Sequence, residues 1–260
     1  MRSYVLMLLA IDVGNTQTHI AVFDGEALVE HWRFATDGDA TADLLAVRLS
    51  NLLELRGLEL AAIDAAIVSS VVPPLNPEYA RMAERYLDGR FLSVLPGVKT
   101  GIAIRMDNPL ELGADRLVNA VAAYNRFGGA CAVVDFGTAI TFDAISAQGE
   151  YLGGVIGPGV RVSMEALTER AAKLPKVDLA EPASVIGKTT QASMQSGMVY
   201  GFAGAIDAIA RRLIVELGEE TSFIATGGGA EVIVPFCETI DEVDDLLTLT
   251  GLRLIHELNG

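Results

Sequence analysis

The sequence predicts a duplicated α/β fold, and two observations support this. A strand that ends in Asp-x-Gly followed by a hydroxyl residue occurs twice, as "IDVGNT" at residues 11–16 and "VDFGT" at residues 134–138. Each copy begins a series of three strands joined by tight turns, and alternating helices and strands follow it. Such a restart of the pattern indicates an internal duplication. We expect the boundary near Gly128-Gly129, with halves of residues 1–128 and 129–260.

In the first half, runs of apolar and β-branched residues predict strands, and apolar residues at helical spacing predict helices. The predicted strands are residues 5–13, 18–23, 27–34, 64–72 and 91–95. The predicted helices are residues 41–57 and 77–89, followed by a loop that leads into a helix within residues 109–129. Gly57, Gly89 and the Gly128-Gly129 pair stand where helices commonly stop.

The second half repeats this order. The predicted strands are residues 130–136, 139–146, 150–156 and 222–226. Four helices are predicted. One begins near residue 160, a long one spans residues 190–217, a third follows "TGGGA", and the last runs from "LTLTG" to the end of the sequence.

Composition narrows the function. The 260 residues are 51% apolar and carry a net charge of −15, which argues against nucleic acid or an anionic membrane as partner. No apolar run reaches the roughly 18 residues of a membrane span. Cys131 and Cys237 lie in apolar contexts typical of buried thiols, which favours the cytoplasm. "MRSYVLMLLAI" resembles a signal peptide only superficially, since it has no small-residue cleavage site, and Met7 is a candidate natural start.

The two hairpins suggest phosphate chemistry. Backbone N–H groups in the turn, with the hydroxyls of Thr16 and Thr18, can surround phosphate oxygens. The carboxylate of Asp12 or Asp135 at the strand end can hold a cation that neutralises those oxygens. The alternative for one copy is that a Gly-Asn turn only makes a hairpin, and the second copy favours the functional interpretation.

A third motif is "GADR" at residues 113–116. Asp115 is either the N-cap of the following helix or a general base for a hydroxyl nucleophile. Arg116 would orient a substrate carboxylate or phosphate.

Other glycine-rich segments match no standard phosphate motif. "PASVIGKTT" has Pro182 where a P-loop begins with Gly, and neither "GGVIGPG" nor "TGGGA" fits the dinucleotide fingerprint. "TGGGA" either lets the backbone approach a base or ribose closely or only makes a tight strand-to-helix connection.

Together these motifs resemble a known family. "IDVGNT", "NPLELGADR", "VDFGTAITFD", "GGVIGPG", "IGKTTQASMQSGMVYG" and "TGGGA", in this order, are similar to type III pantothenate kinases over residues 7–258. That family belongs to the acetate kinase/sugar kinase/Hsp70/actin superfamily. The resemblance implies duplicated ribonuclease H-like (actin-like ATPase) domains with an interdomain nucleotide cleft.

The resemblance also implies an activity, the phosphorylation of pantothenate by ATP to 4'-phosphopantothenate, which is the first step of coenzyme A biosynthesis. A regulatory protein similar to Bvg accessory factors, without a kinase role, is the alternative. A phosphatase of the same superfamily is a third possibility. The family is homodimeric, with each active site completed at the subunit interface, and it requires a monovalent cation, potassium or ammonium.

Site residues follow from the resemblance by motif. The expected ATP contacts are Asp12, Val13, Gly14, Asn15, Thr16, Gln17, Thr18, His19 and Thr138. The expected pantothenate contacts are Gly113, Ala114, Asp115, Arg116 and Thr190, with Asp115 as the proton acceptor. Asp135 would bind the monovalent cation, and Asp12 would position a divalent cation, expected to be magnesium. The chain departs from the usual family residues at Met106, Thr189 and Gly229.

Overall fold

The structure, a computed structural model, describes residues 7–87 and 89–260. The start of the first predicted strand, the signal-like residues before Met7 and the last but one residue of the second predicted helix therefore lie outside the described residues. Within the described residues, packing divides the chain into two units. The first unit comprises residues up to 101, 110–122 and 248–260, and the second comprises residues 102–109 and 123–247.

The first unit contains a five-stranded sheet in the order β3-β2-β1-β4-β5. Its strands are β1 (Met7–Val13), β2 (Gln17–Asp24), β3 (Ala27–Ala35), β4 (Ile63–Ser70) and β5 (Arg90–Ser93). The first three strands pair antiparallel, and β4 and β5 continue the sheet in parallel to β1. Gly25, with φ of +58°, makes the tight turn between β2 and β3 that the sequence predicts.

Four helices accompany this sheet: α1 (Ala42–Glu54), α2 (Asn76–Tyr86), the first part of α3 (Ala114–Phe127) and α7 (Leu247–Asn259). Thr41 caps α1 by accepting a hydrogen bond from the Leu44 N–H. Alternate residues of β1, namely Leu9, Ile11 and Val13, pack with α1 and α2 in one hydrophobic core. The other residues of β1, which include Asp12, lie on the opposite face of the sheet.

The second unit contains a six-stranded sheet in the order β11-β10-β7-β8-β9-β6. Its strands are β6 (Ala103–Ile104), β7 (Cys131–Phe136), β8 (Ala139–Ile145), β9 (Glu150–Pro158), β10 (Ser222–Thr226) and β11 (Glu242–Val243). The other helices are α4 (Val160–Arg170), α5 (Thr190–Leu217) and α6 (Ala230–Ile233). The long helix α5 packs with β7, β8 and β10 in the second core.

The two sheets confirm the predicted duplication. The order β3-β2-β1-β4-β5 in the first unit is repeated as β9-β8-β7-β10-β11 in the second, with the same parallel and antiparallel pairings. Only β6 has no counterpart among the described strands. The two-residue strands β6 and β11 are absent from the prediction because they are too short to carry an alternating pattern.

Packing does not follow the division between residues 128 and 129, which marks where the sequence pattern restarts. The C-terminal helix α7 returns to the first unit, and residues 102–109 join the second through β6. A repeat in sequence does not reveal such an exchange of segments, because the exchanged segments have no special composition. No helix in the described part of the chain is both long and apolar enough to cross a membrane.

Candidate active site

The first hairpin ends in a short exposed loop. Asp12 is the last but one residue of β1, and Gly14, Asn15 and Thr16 connect β1 to β2. The Gly14 N–H donates a hydrogen bond to the Gln17 carbonyl over 3.0 Å, which closes the turn. A Cβ at Gly14 would lie 2.9 Å from that same oxygen, so the tight turn requires glycine.

The structure separates the threonines of this hairpin. Thr16 is exposed on the loop, whereas Thr18 is 1% exposed and its hydroxyl oxygen lies 2.9 Å from that of Thr36. Val13 is also buried in the core, and His19 is half-buried. The side chains of Val13 and Thr18 therefore face the interior, and the surface that the hairpin presents consists of the loop and its backbone.

The second hairpin is similar but one residue shorter. Asp135 is the last but one residue of β7, and only Gly137 and Thr138, both exposed, connect β7 to β8. In the first hairpin Asp12 pairs with a residue seven positions later, His19, whereas Asp135 pairs with Thr141, six positions later. The two carboxylates thus occupy equivalent strand positions beside loops of different length.

The glycine-rich motifs "TGGGA" and "GGVIGPG" both pack against the second hairpin. A Cβ at Gly227, where φ is +91°, would lie 2.5 Å from Asp135 Oδ1. A Cβ at Gly159 would lie 2.5 Å from the Gly137 carbonyl oxygen, and the Gly159 N–H donates to the Thr138 carbonyl over 3.1 Å. These glycines are therefore required for close approach to this chain's own hairpin.

The sequence interpretation missed this role for "GGVIGPG" and "TGGGA". Gly229 also belongs to the contact, because a Cβ there would lie 3.3 Å from the Phe136 Cβ. A larger side chain at position 229 would crowd the side chain of Phe136. The relevant signal is the strand order, since β10 lies beside β7 and brings Gly227 to Asp135. No local motif could have revealed it.

"GADR" forms the start of α3 in the first unit. The helix begins at Ala114, so Asp115 lies in its first turn rather than before it. The carboxylate of Asp115 accepts a hydrogen bond from the Arg116 backbone N–H over 2.8 Å. A Cβ at Gly113 would lie 2.5 Å from Asp115 Oδ1, so glycine at this position leaves room for the carboxylate.

Burial raises the pKa of Asp115 above its ordinary value, since it disfavours the charged form. The hydrogen bond from the Arg116 N–H and the positive charge of Arg116 act in the opposite direction and do not cancel this effect. A half-buried carboxylate with a raised pKa is a better proton acceptor than an exposed aspartate. The N-cap alternative does not account for that burial.

Helix α7 places α3 on the face of the sheet that carries Asp12. Phe23 pairs with Leu8 and thus lies on the same face as Asp12, and the Arg253 guanidinium of α7 lies 6.0 Å from the centre of the Phe23 ring. Gly251 of α7 packs against α3, because a Cβ there would lie 2.8 Å from Val118 Cγ1. The first unit therefore carries both the first hairpin and the "GADR" segment.

Thr190 is the first residue of α5 in the second unit, and Thr189 caps this helix by accepting a hydrogen bond from the Ala192 N–H over 3.1 Å. Thr is a favourable N-cap residue, so Thr at position 189 caps the helix despite its departure from the usual family residue. A shallow cavity of about 320 Å³ adjoins this helix start. Its lining residues are Ala183, Ser184, Ile186, Gly187, Lys188, Thr189 and Ala192. Met106 is half-buried in a segment of the second unit before "GADR".

Among the described residues, no group of three or more His, Cys, Asp or Glu side chains could hold a metal ion. Asp12 and Asp135 each supply one carboxylate beside a loop rich in backbone carbonyls and amides. This donor set fits cations whose other ligands are backbone oxygens, water and nucleotide phosphates, as is usual for magnesium. It does not fit a metal site whose ligands all come from protein side chains.

Comparison with known proteins decides the family. A family model described as type III pantothenate kinase matches residues 8–212. This chain belongs to the type III pantothenate kinase family. The type III pantothenate kinase of Anaeromyxobacter sp. (strain K) is 51% identical over 253 residues, which are 97% of this chain and 100% of that protein.

Solved structures confirm the fold. An archaeal actin homolog superposes with a TM-score of 0.54 at 14% identity, covering 97% of this chain and 100% of that one. A conserved Campylobacter jejuni protein assigned to the Baf family of transcriptional activators superposes with a TM-score of 0.56 at 17% identity, covering 96% and 97%. At this identity the likeness shows a common fold alone. It gives no support to a regulatory role for a member of the type III pantothenate kinase family.

Proposed function

We propose that this protein transfers the γ-phosphoryl group of ATP to the hydroxyl of pantothenate, with Asp115 as the base that accepts the hydroxyl proton. Pantothenate phosphorylation by ATP is the activity of its family and begins coenzyme A biosynthesis. The observation that carries the role of Asp115 is its half-buried position at the start of α3, where the raised pKa suits a proton acceptor.

The hairpin loops would bind the phosphates of ATP. Phosphoryl transfer depends on positioning and on stabilising the charge of the phosphate oxygens, and this chain has no P-loop lysine for that task. The exposed Gly14–Thr16 loop offers backbone dipoles instead, and Thr138 offers a hydroxyl from the second hairpin. Val13, Gln17 and His19 would contribute backbone or edge contacts.

Cations would complete the phosphate site. When bound, a divalent cation near Asp12 and a potassium or ammonium ion near Asp135 would neutralise charge on the phosphate oxygens. The carboxylate of Asp135 supports this proposal, because a further negative charge facing phosphates would be repulsive without a cation between them.

Pantothenate would contact Gly113, Ala114 and Arg116 at the start of α3. Pantothenate carries a carboxylate at one end and its reactive hydroxyl at the other. Arg116 is the charged donor nearest to Asp115 in sequence and would pair with an anionic group of the substrates. Thr190, at the start of α5, would contact the substrate through its hydroxyl or the exposed N–H groups of the helix.

The proposal includes a homodimer in the cytoplasm. Ile156, Val185 and Ile186 of the second unit are apolar and more than 60% exposed, as expected of residues that a partner subunit would cover. Both cysteines are free thiols, which agrees with a reducing compartment. Light scattering of the purified protein tests the dimer, and a stable, fully active monomer would contradict it.

Pantothenate-dependent release of ADP, measured in potassium and in sodium salts at matched ionic strength, tests the cation proposal. We expect strong activation by potassium or ammonium in the wild type and weak activation by sodium. Asp135→Ala should fold and lose this difference. Equal rates in both salts would contradict the proposal that Asp135 binds a monovalent cation and would leave the kinase assignment intact.

A further inference from the structure

Thr36 makes two hydrogen bonds to the loop of the first hairpin, although it lies outside the "IDVGNT" motif. It follows β3 directly. Its backbone N–H donates to the Thr16 carbonyl over 3.0 Å, and its hydroxyl donates to the Gly14 carbonyl over 2.7 Å. Both ends of the loop are thus attached to this one residue.

The hydroxyl of Thr36 has a defined orientation. A carbonyl oxygen can only accept, so the Thr36 proton is committed to Gly14. The contact of 2.9 Å with the Thr18 hydroxyl must therefore have Thr18 as the donor. Thr18 is buried and also lies beside the hydroxyl of Tyr79 on α2, where burial raises the pKa of Tyr79 to about 12. These hydroxyls link the loop to the core of the first unit.

In the second half of the duplication, the hairpin loop is held by a backbone hydrogen bond alone, with no side chain involved. Gly159 follows β9 directly, as Thr36 follows β3, and its N–H donates to the Thr138 carbonyl over 3.1 Å. There is no room for a Cβ at Gly159, because it would lie 2.5 Å from the Gly137 carbonyl. The first loop is one residue longer, and there the Thr36 hydroxyl supplies an additional hydrogen bond to the carbonyl of Gly14.

We propose that Thr36 is a positioning residue for ATP, which fixes the Gly14–Thr16 loop so that the backbone N–H groups that follow Gly14 in the loop face the phosphates. This inference rests on the proposed function of the hairpin as the phosphate site. It also assigns Thr18 a supporting role through Thr36 rather than a direct phosphate contact. A loop held at both ends has its donors oriented before the nucleotide arrives, which lowers the ordering cost of binding.

Thr36→Val tests the proposal, because valine has nearly the shape of threonine and lacks the hydroxyl. We expect the KM for ATP to rise about 10-fold, since small displacements of binding groups have large effects. The KM for pantothenate should stay within about twofold, and Thr36→Ser, which restores the hydroxyl, should return the KM for ATP towards the wild-type value.

Thr221→Val is the matched control. The Thr221 hydroxyl donates to the Gly218 carbonyl over 2.6 Å in the second unit, in a turn that is part of neither hairpin. Its loss removes a bond of the same kind, so stability should fall similarly without a change in the KM for ATP.

Amide hydrogen exchange of residues 14–16 gives a readout independent of turnover. Exchange should be faster in Thr36→Val than in the wild type and in Thr221→Val. An unchanged KM for ATP in Thr36→Val, or equal loss of affinity for ATP and pantothenate, would overturn the positioning role. Failure of the wild type itself to phosphorylate pantothenate would instead overturn the proposed function, so the two failures are distinguishable.

Discussion

Replacing Asp115 by Asn separates catalysis from stability. The amide keeps an oxygen that can accept the hydrogen bond from the Arg116 N–H, now 2.8 Å long, but it cannot accept a proton at neutral pH. Loss of a general base lowers kcat by about 10²- to 10⁴-fold, which corresponds to about 3–5.5 kcal/mol of transition-state stabilisation.

The same exchange should not destabilise the protein near neutral pH. Burial raises the pKa of Asp115 in the folded state, so the folded protein holds this proton more tightly than the unfolded chain does. The contribution of Asp115 to stability is therefore fully present below its unfolded pKa and is lost as the pH rises through the raised folded pKa. Each unit of that elevation is worth about 1.4 kcal/mol at neutral pH, and the Asp115→Asn variant would not incur this loss.

Asp43 provides a matched control, because it is the second residue of α1 just as Asp115 is the second residue of α3. Asp43 is exposed and forms a surface ion pair with Arg85, so Asp43→Asn should leave kcat unchanged and lower stability by about 0.3–1 kcal/mol through the helix dipole and the lost ion pair. The assays are ADP release and thermal unfolding at pH 7.5 and pH 5. A well-folded Asp115→Asn protein with near-normal kcat, or one clearly less stable than the wild type at pH 7.5, would refute the reasoning.

Two further predictions concern the second unit. Gly227→Ala should lower kcat about 10-fold, because its Cβ would clash with the Asp135 carboxylate and with the backbone of Phe136 and so displace the end of β7. Gly218→Ala, at φ of +113° with no atom near its Cβ, should only lower the melting temperature, and equal kcat losses in the two variants would contradict this. Burial raises the pKa values of Cys131 and Cys237 to about 12. A thiol reagent at pH 8 should therefore label the native protein on the order of a thousandfold more slowly than the unfolded chain. Rapid labelling of the native protein would contradict this, because it would show that these thiols are accessible as thiolates.

Much of this fold could be predicted from sequence because its elements are marked locally. Continuous runs of apolar residues define β1 and β7, and capping threonines and terminal glycines define α1 and α5. The duplication was visible because each hairpin repeats the same order of strand, Asp and Gly.

Other features of the site depend on contacts between distant segments. Thr18 follows the "IDVGNT" motif in the first hairpin, and only its burial and its contact with Thr36 reveal that its hydroxyl points into the core. Gly227 and Asp135 are far apart in sequence and meet because β10 pairs with β7. The return of α7 to the first unit has no sequence signal either.

The central claim is that this chain phosphorylates pantothenate, and identification of the product by mass spectrometry tests it most directly. The purified protein would be incubated with ATP, pantothenate, magnesium and potassium, with Asp115→Asn in parallel. We predict 4'-phosphopantothenate and ADP in equal amounts from the wild type and at least about 100-fold less from the variant. Hydrolysis of ATP without phosphorylated pantothenate, or no turnover by folded wild-type protein, would contradict the account.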